Sequence, residues 1–280
     1  MSKYYCLIAG LPDIHLEDQK LTFSVKEFRE EVYEQLSDND RKLFDLFFLK
    51  YDNVNLLRFL QDKDARLDDR GNLDAEALDM LVKALKEEDA PKGLAVAPYL
   101  NTFVTAYLTE QSLSEGMLWE DQLAGLYYDY ALKSSNDMIA RWYEFNLNLN
   151  NMLVASAARR NHFDATNFII GDNEVAKAIR TSSARDWGLA GSLDYLEAVQ
   201  RIAEESDLLE REKKIDLLKW SWLEEQTFFH YFTVERVFAY LLKLEILERW
   251  MSLNKDAGEK QLREMVARMK SEVKLPEDFE

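Results

Sequence analysis

The side chains best suited to chemistry in this sequence are three histidines, one cysteine and 52 carboxylates. A di-iron centre in a helical bundle needs Glu-x-x-His on two helices, so that both ligands project inward from one turn. His15, His162 and His230 are preceded three positions earlier by Pro12, Arg159 and Thr227, so that motif is absent. No two of the histidines share a metal-binding spacing. The acid-rich run from Asp62 to Asp79 resembles a calcium loop. With Gly71 as the turn glycine, however, the first, fifth and closing ligand positions fall on Arg66, Arg70 and Ala77. Two cations and a methyl group do not coordinate calcium, and the run reads as a solvated acidic loop.

Nucleophile and phosphate signatures are equally absent. Cys6 stands without the local context of a nucleophile, and no G-x-S-x-G elbow occurs. Neither G-x-x-x-x-G-K-[ST] nor G-x-G-x-x-G is present, and GLAGS at 188–192 reads as a turn. Carboxylate pairs are too common here to mark an acid–base site. The expectation is a protein with no catalytic residue, no cofactor and no metal.

Composition excludes further classes. The 35 basic and 52 acidic side chains leave a net charge of −17, whereas nucleic-acid binding requires cations that displace counterions from phosphates. Anionic lipid headgroups repel such a chain as well. A single cysteine allows no internal disulfide and no cysteine-based zinc site. The opening YYCLIAGLPDI has one basic residue before it, Lys3, and Pro12-Asp13 soon after. It is far shorter than the roughly 20 residues that cross a bilayer, so it reads as neither signal peptide nor anchor. Tyr4, Leu7, Ile8 and Leu11 share one helical face, which predicts a short buried first helix, with a strand as the alternative.

The elements that position these residues are helices. Only 9 Gly and 4 Pro occur in 280 residues, too few turn formers for an all-β chain. Ser24 to Glu27 (SVKE) is a capping box, SDND at 37–40 and SSND at 134–137 are looser versions, and Asp74 can cap a helix. Pro98 suits a first turn, and Ser192 and Thr233 can open two more helices. Between these marks the apolar residues recur at helical spacing. One stripe is Leu43, Phe44, Phe47, Phe48, Tyr51 and Val54; another is Met138, Ile139, Trp142, Phe145, Leu149 and Met152. A third is Val237, Tyr240, Leu241, Leu244, Leu247 and Trp250. The fold class is all-α, with about ten helices, many paired as hairpins. Surface loops are expected at 62–72, 87–93 and 171–174, and a frayed tail at 274–280. None of the loops is long enough to divide the chain, which gives one helical domain over 1–280.

Some polar residues interrupt the apolar faces. In KYDNVNLLRFLQD, Asp52 and Asn55 lie one turn apart with Arg58 beside them. Such residues usually fix the register of a neighbouring helix through satisfied hydrogen bonds. YEFNLNLNNMLVASAARRN (143–161) again sets asparagines in an apolar helix, with Phe145 three residues before Asn148 and Val154 in the place of the basic residue. In the third stretch, 234–258, Glu245 and Arg249 form an i, i+4 pair. These look like diverged copies of one unit, at about 24–110, 111–185 and 186–272.

Two elements, Asp52-x-x-Asn55-Leu56-x-Arg58 and Tyr240 to Arg249 followed by Gly258, resemble the C subunit of archaeal- and vacuolar-type rotary ATPases, called d in eukaryotes. The opening stretch and KKIDLLKWSWLEE (213–225) look closer still to an uncharacterised bacterial family encoded among V-type ATPase subunits. The resemblance implies a non-catalytic, funnel-like body of three pseudo-repeats. It would be cytoplasmic, peripheral to the inner face of the membrane without inserting into it, and its partners would be the rotor ring and central shaft. The alternative is a helical-repeat adaptor for an unrelated cytosolic protein. A net-positive island at 158–185, holding Arg159, Arg160, Lys177, Arg180 and Arg185, is the candidate partner-binding surface.

Overall fold

The computed structural model describes residues 4–252 apart from Glu17, Gln19, Glu88 and residues 90–92. Among them are eleven α-helices and no strand. In chain order these are α1 (Tyr5–Gly10), α2 (Val25–Glu27), α3 (Asp38–Gln61), α4 (Ala75–Lys86), α5 (Pro98–Leu108) and α6 (Trp119–Ala131). Then follow α7 (Asp137–Arg160), α8 (Glu174–Thr181), α9 (Leu196–Glu204), α10 (Leu208–Gln226) and α11 (Val234–Ser252). A π-helical turn, Phe28–Val32, and a 3-10 turn, Tyr33–Gln35, continue α2. The chain is all-α, and none of the described helices is long and apolar enough to cross a membrane. Gly258 and the 274–280 tail lie outside the described residues.

Local chemistry accounts for most helix starts. Ser24 and Glu27 form the full capping box, each satisfying a backbone N–H of the other. Ser37 accepts from the N–H of Asp40, Asp74 from that of Ala77, and Pro98 occupies the first turn of α5. Two expected caps are shifted. Asn136, not Ser134, caps α7 by accepting from Ile139, and its amide also reaches Glu235 of α11 at 2.7 Å. Ser192 instead closes the turn before α9, donating to the Leu189 carbonyl.

The core is one large apolar cluster that runs from Tyr4 to Leu244, with a small second cluster of Trp220, Ile246 and Leu247 beside it. Phe28, Phe44 and Phe238 are fully buried, and their rings join the end of α2 to α3 and α11 at centroid distances of 5.8 and 5.3 Å. Burying each such side chain contributes about 1.5–3 kcal/mol. The three stripes face inward with one exception, Val54, which is exposed. α1 forms as expected but is only half-buried: Tyr4 is covered, while Leu7, Ile8 and Leu11 pack at the core's edge.

The long helices α3, α7 and α11 carry most of the buried polar residues, and shorter helices pack around them. α6 lies against both α3 and α7, α8 and α9 lie against α7, and α10 packs on α11. This arrangement places the asparagines of α3 and α7 beside the loops that leave those helices.

Candidate functional site

Asp52 and Asn55 hold a loop rather than a neighbouring helix. The Asn55 amide donates to the Asp68 carbonyl at 2.8 Å, and the Asp68 N–H returns a bond to Asn55 Oδ1 at 2.8 Å. One turn earlier, Asp52 accepts from the Leu73 N–H and the Asn72 amide, each at 2.8 Å. Arg29 donates to the carbonyls of Arg70 and Gly71 from the other side. A Cβ on Gly71 would meet Asp52 Oδ1 at 2.7 Å, so only glycine allows the approach. The second half of the 62–72 loop is therefore strapped to α3 and not freely solvated. Arg58 adds only a long bond to the first half of the loop. It is exposed, with one guanidinium nitrogen 3.5 Å from the Arg66 carbonyl.

The same device recurs on α7. Asn151 donates to the Ile170 carbonyl at 2.7 Å and accepts the Ile170 N–H at 2.9 Å. Three residues earlier Asn148 Oδ1 accepts from Asn173, and Arg180 donates to the carbonyls of Ile169 and Gly171. In both units the strapped loop leads into the next helix, capped by Asp74 in one and Asn173 in the other. The register of the repeat is thus Asn55 with Asn151 and Asp52 with Asn148. That corrects the alignment of Phe145 to the acidic position: an asparagine, not Phe145, stands there. The corresponding segment after α11 lies outside the described residues.

Glu245 and Arg249 do not pair with each other. Glu245 accepts from Lys50 and from the Tyr51 hydroxyl of α3, while Arg249 pairs with Asp216 and Glu212 of α10. Their four-residue spacing suits an intrahelical pair, but each finds a partner across a helix interface. Both line a cleft of about 310 Å³ enclosed by α3, α6, α7, α10 and α11. Its charged lining is completed by Lys50, Asp216 and Lys219, and its walls include Phe47, Tyr127, Trp142 and Tyr143. Lys50 stands five residues before Asn55, and Asn146, also at the cleft, five before Asn151. The cleft therefore opens at the same level of both units.

Burial holds the ammonium groups of Lys50 and Lys219 below the usual lysine range, against the opposing pull of Glu245 and Asp216 respectively. Burial also raises the Tyr127 and Tyr143 hydroxyls, keeping them neutral. Asp216 is almost fully buried and accepts from both Arg249 and the Trp250 indole. Asp216 and Lys219 escaped the sequence reading although a signal exists. Ile215, Asp216, Lys219, Trp220 and Leu223 share one helical face, so two charges lie on an apolar stripe.

Comparison with known proteins bears on the whole chain. One family, described as a protein of unknown function (DUF2764), matches residues 1–273. The chain belongs to the DUF2764 family. No curated protein and no solved structure matches it.

In this DUF2764 chain the cations of the 158–185 island all have partners within the molecule. Arg159 donates to the carbonyls of Ser182, Ala184 and Arg185 and lies over the Trp187 ring, and Arg160 donates to the Ala203 carbonyl. Lys177 and Arg180 flank Asp172 at 3.6 and 3.8 Å, and Arg185 meets Glu204 at 2.6 Å. Arg159 and Arg180 are thus structural clamps on loop carbonyls, and Arg160 clamps a carbonyl in the last turn of α9. Lys177 and Arg185 are exposed members of surface ion pairs.

Proposed function

We propose that the protein is a non-catalytic central-stalk component of a V/A-type rotary ATPase, coupling the central shaft to the membrane rotor ring from the cytoplasmic side. The observation that carries this reading is the asparagine strap, built at matching register on α3 and α7. It supports construction from repeated helical units, which is what the resemblance to the rotary-ATPase stalk family implies. Close-packed helices with strapped loops deform little, and that is the property torque transmission requires.

The test is affinity purification of the tagged chain from its native host in mild detergent. The expected result is co-elution of V-type ATPase rotor and shaft proteins at a fixed ratio. Elution without them would contradict the proposal.

One observation favours a second reading, an adaptor for an unrelated cytosolic protein. Between α10 and α11 the chain displays Phe228, Phe229 and Tyr231, with Phe229 81% exposed. Exposed aromatic clusters mark protein interfaces more often than bare surface. A single stoichiometric partner in the eluate, with no ATPase component, would decide for the adaptor.

A further inference from the structure

We propose that the uncovered apolar start of α10 is a docking site for this chain's own residues 253–273. The contact is intramolecular, goes beyond the coupling role and stands or falls independently of it.

The register of the α10–α11 hairpin defines the site. Lys243 of α11 meets Glu224 of α10 at 3.1 Å and lies over the Trp220 ring. Further along α11, Trp250 reaches back to Asp216 at 2.8 Å, and Arg249 to Glu212 at 2.9 Å. The two helices are antiparallel, so each turn gained on α11 is a turn lost on α10. One turn before Glu212 stand Leu208 and Leu209, and one turn past Arg249 the described chain ends at Ser252.

Leu209 belongs to the face that α10 turns to α11. It precedes Glu212, Asp216 and Trp220 by three, seven and eleven residues, the spacing of one helical stripe. Asp216 and Trp220 are buried, whereas Leu209 is 51% exposed and its neighbour Leu208 62%. Leu217, also half exposed, flanks the same face two turns further on. The inward stripe thus continues past the last part of α11 that covers it, and burying its two leucines is favourable.

Residues 253–273 are the occupant because they leave α11 at this place. A short tether holds them at an effective concentration in the millimolar range, against which a second copy of the chain would have to compete. Leu262, Met265, Val266, Met269 and Val273 recur at i, i+3, i+4, i+7 and i+11, one apolar face at helical spacing. At about 1.5 Å per residue that face spans about 16 Å, and Leu209 to Leu217 spans about 12 Å along α10. The first two units offer the parallel: α4 packs on α3, and α8 on α7, each directly after its strapped loop. The exposed aromatics Phe228 and Phe229 stand at the other end of the hairpin, about 28 Å from Ser252 along α11.

The experiment is hydrogen exchange on the full chain, read by mass spectrometry. Amides across 262–273 should exchange about tenfold or more slowly than in an unfolded chain. Leu208→Glu with Leu209→Glu should abolish that protection and leave the helices of the other units unchanged. Both leucines are already half exposed, and acids in a first turn suit the helix dipole, so the double variant should keep its circular dichroism. A second measurement places a benzophenone on Leu209→Cys in a Cys6→Ser chain and irradiates a mixture of isotopically light and heavy protein. The expected cross-links join the label to residues 253–273 of the same chain. Unprotected amides at 262–273, or protection that survives in the folded double variant, would overturn the proposal. So would cross-links that avoid 253–273, or that join light chains to heavy ones and thereby assign the face to a second copy.

Discussion

Asp52 is fully buried, and burial pushes its carboxyl up to about 6 despite the Leu73 N–H and the Asn72 amide that favour its charged form. Across the interval from the ordinary aspartate range to about 6, the folded chain holds this proton and the unfolded chain does not. Its contribution to stability is therefore greatest at low pH, falls as pH rises, and is lowest above about 6. From pH 5 to pH 7, wild type should lose about 1.4 kcal/mol relative to Asp52→Asn. Urea unfolding of both proteins across that range checks this, and parallel curves would contradict it. Asp52→Asn will be less stable in absolute terms, since an amide cannot accept both bonds, but the pH slope is what reports the carboxyl. Arg249 gives a second residue-scale prediction. Removing it leaves buried Asp216 with only the Trp250 indole, so Arg249→Ala should cost about 2–3 kcal/mol, discounted because the guanidinium is partly exposed. A surface i, i+4 pair with Glu245 would give only about 0.3–0.5 kcal/mol, and a denaturant midpoint separates the two. The sequence singled out Asp52, Asn55, Glu245 and Arg249 as polar residues on apolar helices, but their partners lie from 13 to 195 residues away. Spacing along one helix carries no information about those.

At the scale of elements, the strap is the unit that the two halves share. Asn55→Ala and Asn151→Ala each remove a reciprocal pair of bonds and leave a loop N–H and carbonyl without their partner. Each should destabilise by about 2–3 kcal/mol, and amide exchange should quicken at Asp68 and Ile170 respectively. Gly71→Ala should be comparably harmful for a steric reason, since its methyl would displace the Asp52 carboxylate. Unchanged exchange in all three variants would remove the strap as a stabilising device. Helix starts were legible where the capping side chain bonds within three residues, as at Ser24, Ser37 and Asp74. They were misplaced at Ser134 and Ser192, where a neighbouring residue or a preceding turn takes over the hydrogen bonding. The 62–72 loop looked like solvated surface because seven of its eleven residues are charged. What pins it is backbone, and backbone has no signature in composition.

At the scale of the whole molecule, helical periodicity and the scarcity of glycine and proline made the all-α class legible, and the stripes named most of the core. The cleft was not legible, because its charged residues come from α3, α10 and α11 and converge only on folding. The island was visible as composition, but Arg159, Arg160 and Arg180 turn out to clamp carbonyls. Reversing Arg159 and Arg160 to glutamate would therefore disturb the fold. Lys177→Glu with Arg185→Glu is the cleaner probe of docking, and should slow association with purified rotor components at low salt if an acidic partner meets this face. The coupling role itself is tested most directly in membrane vesicles from a strain lacking the protein, by measuring ATP hydrolysis and ATP-driven ion uptake together. The account predicts that hydrolysis persists while uptake is lost, and that adding back the purified chain restores uptake. Uptake that proceeds at the wild-type ratio to hydrolysis without the protein would contradict it.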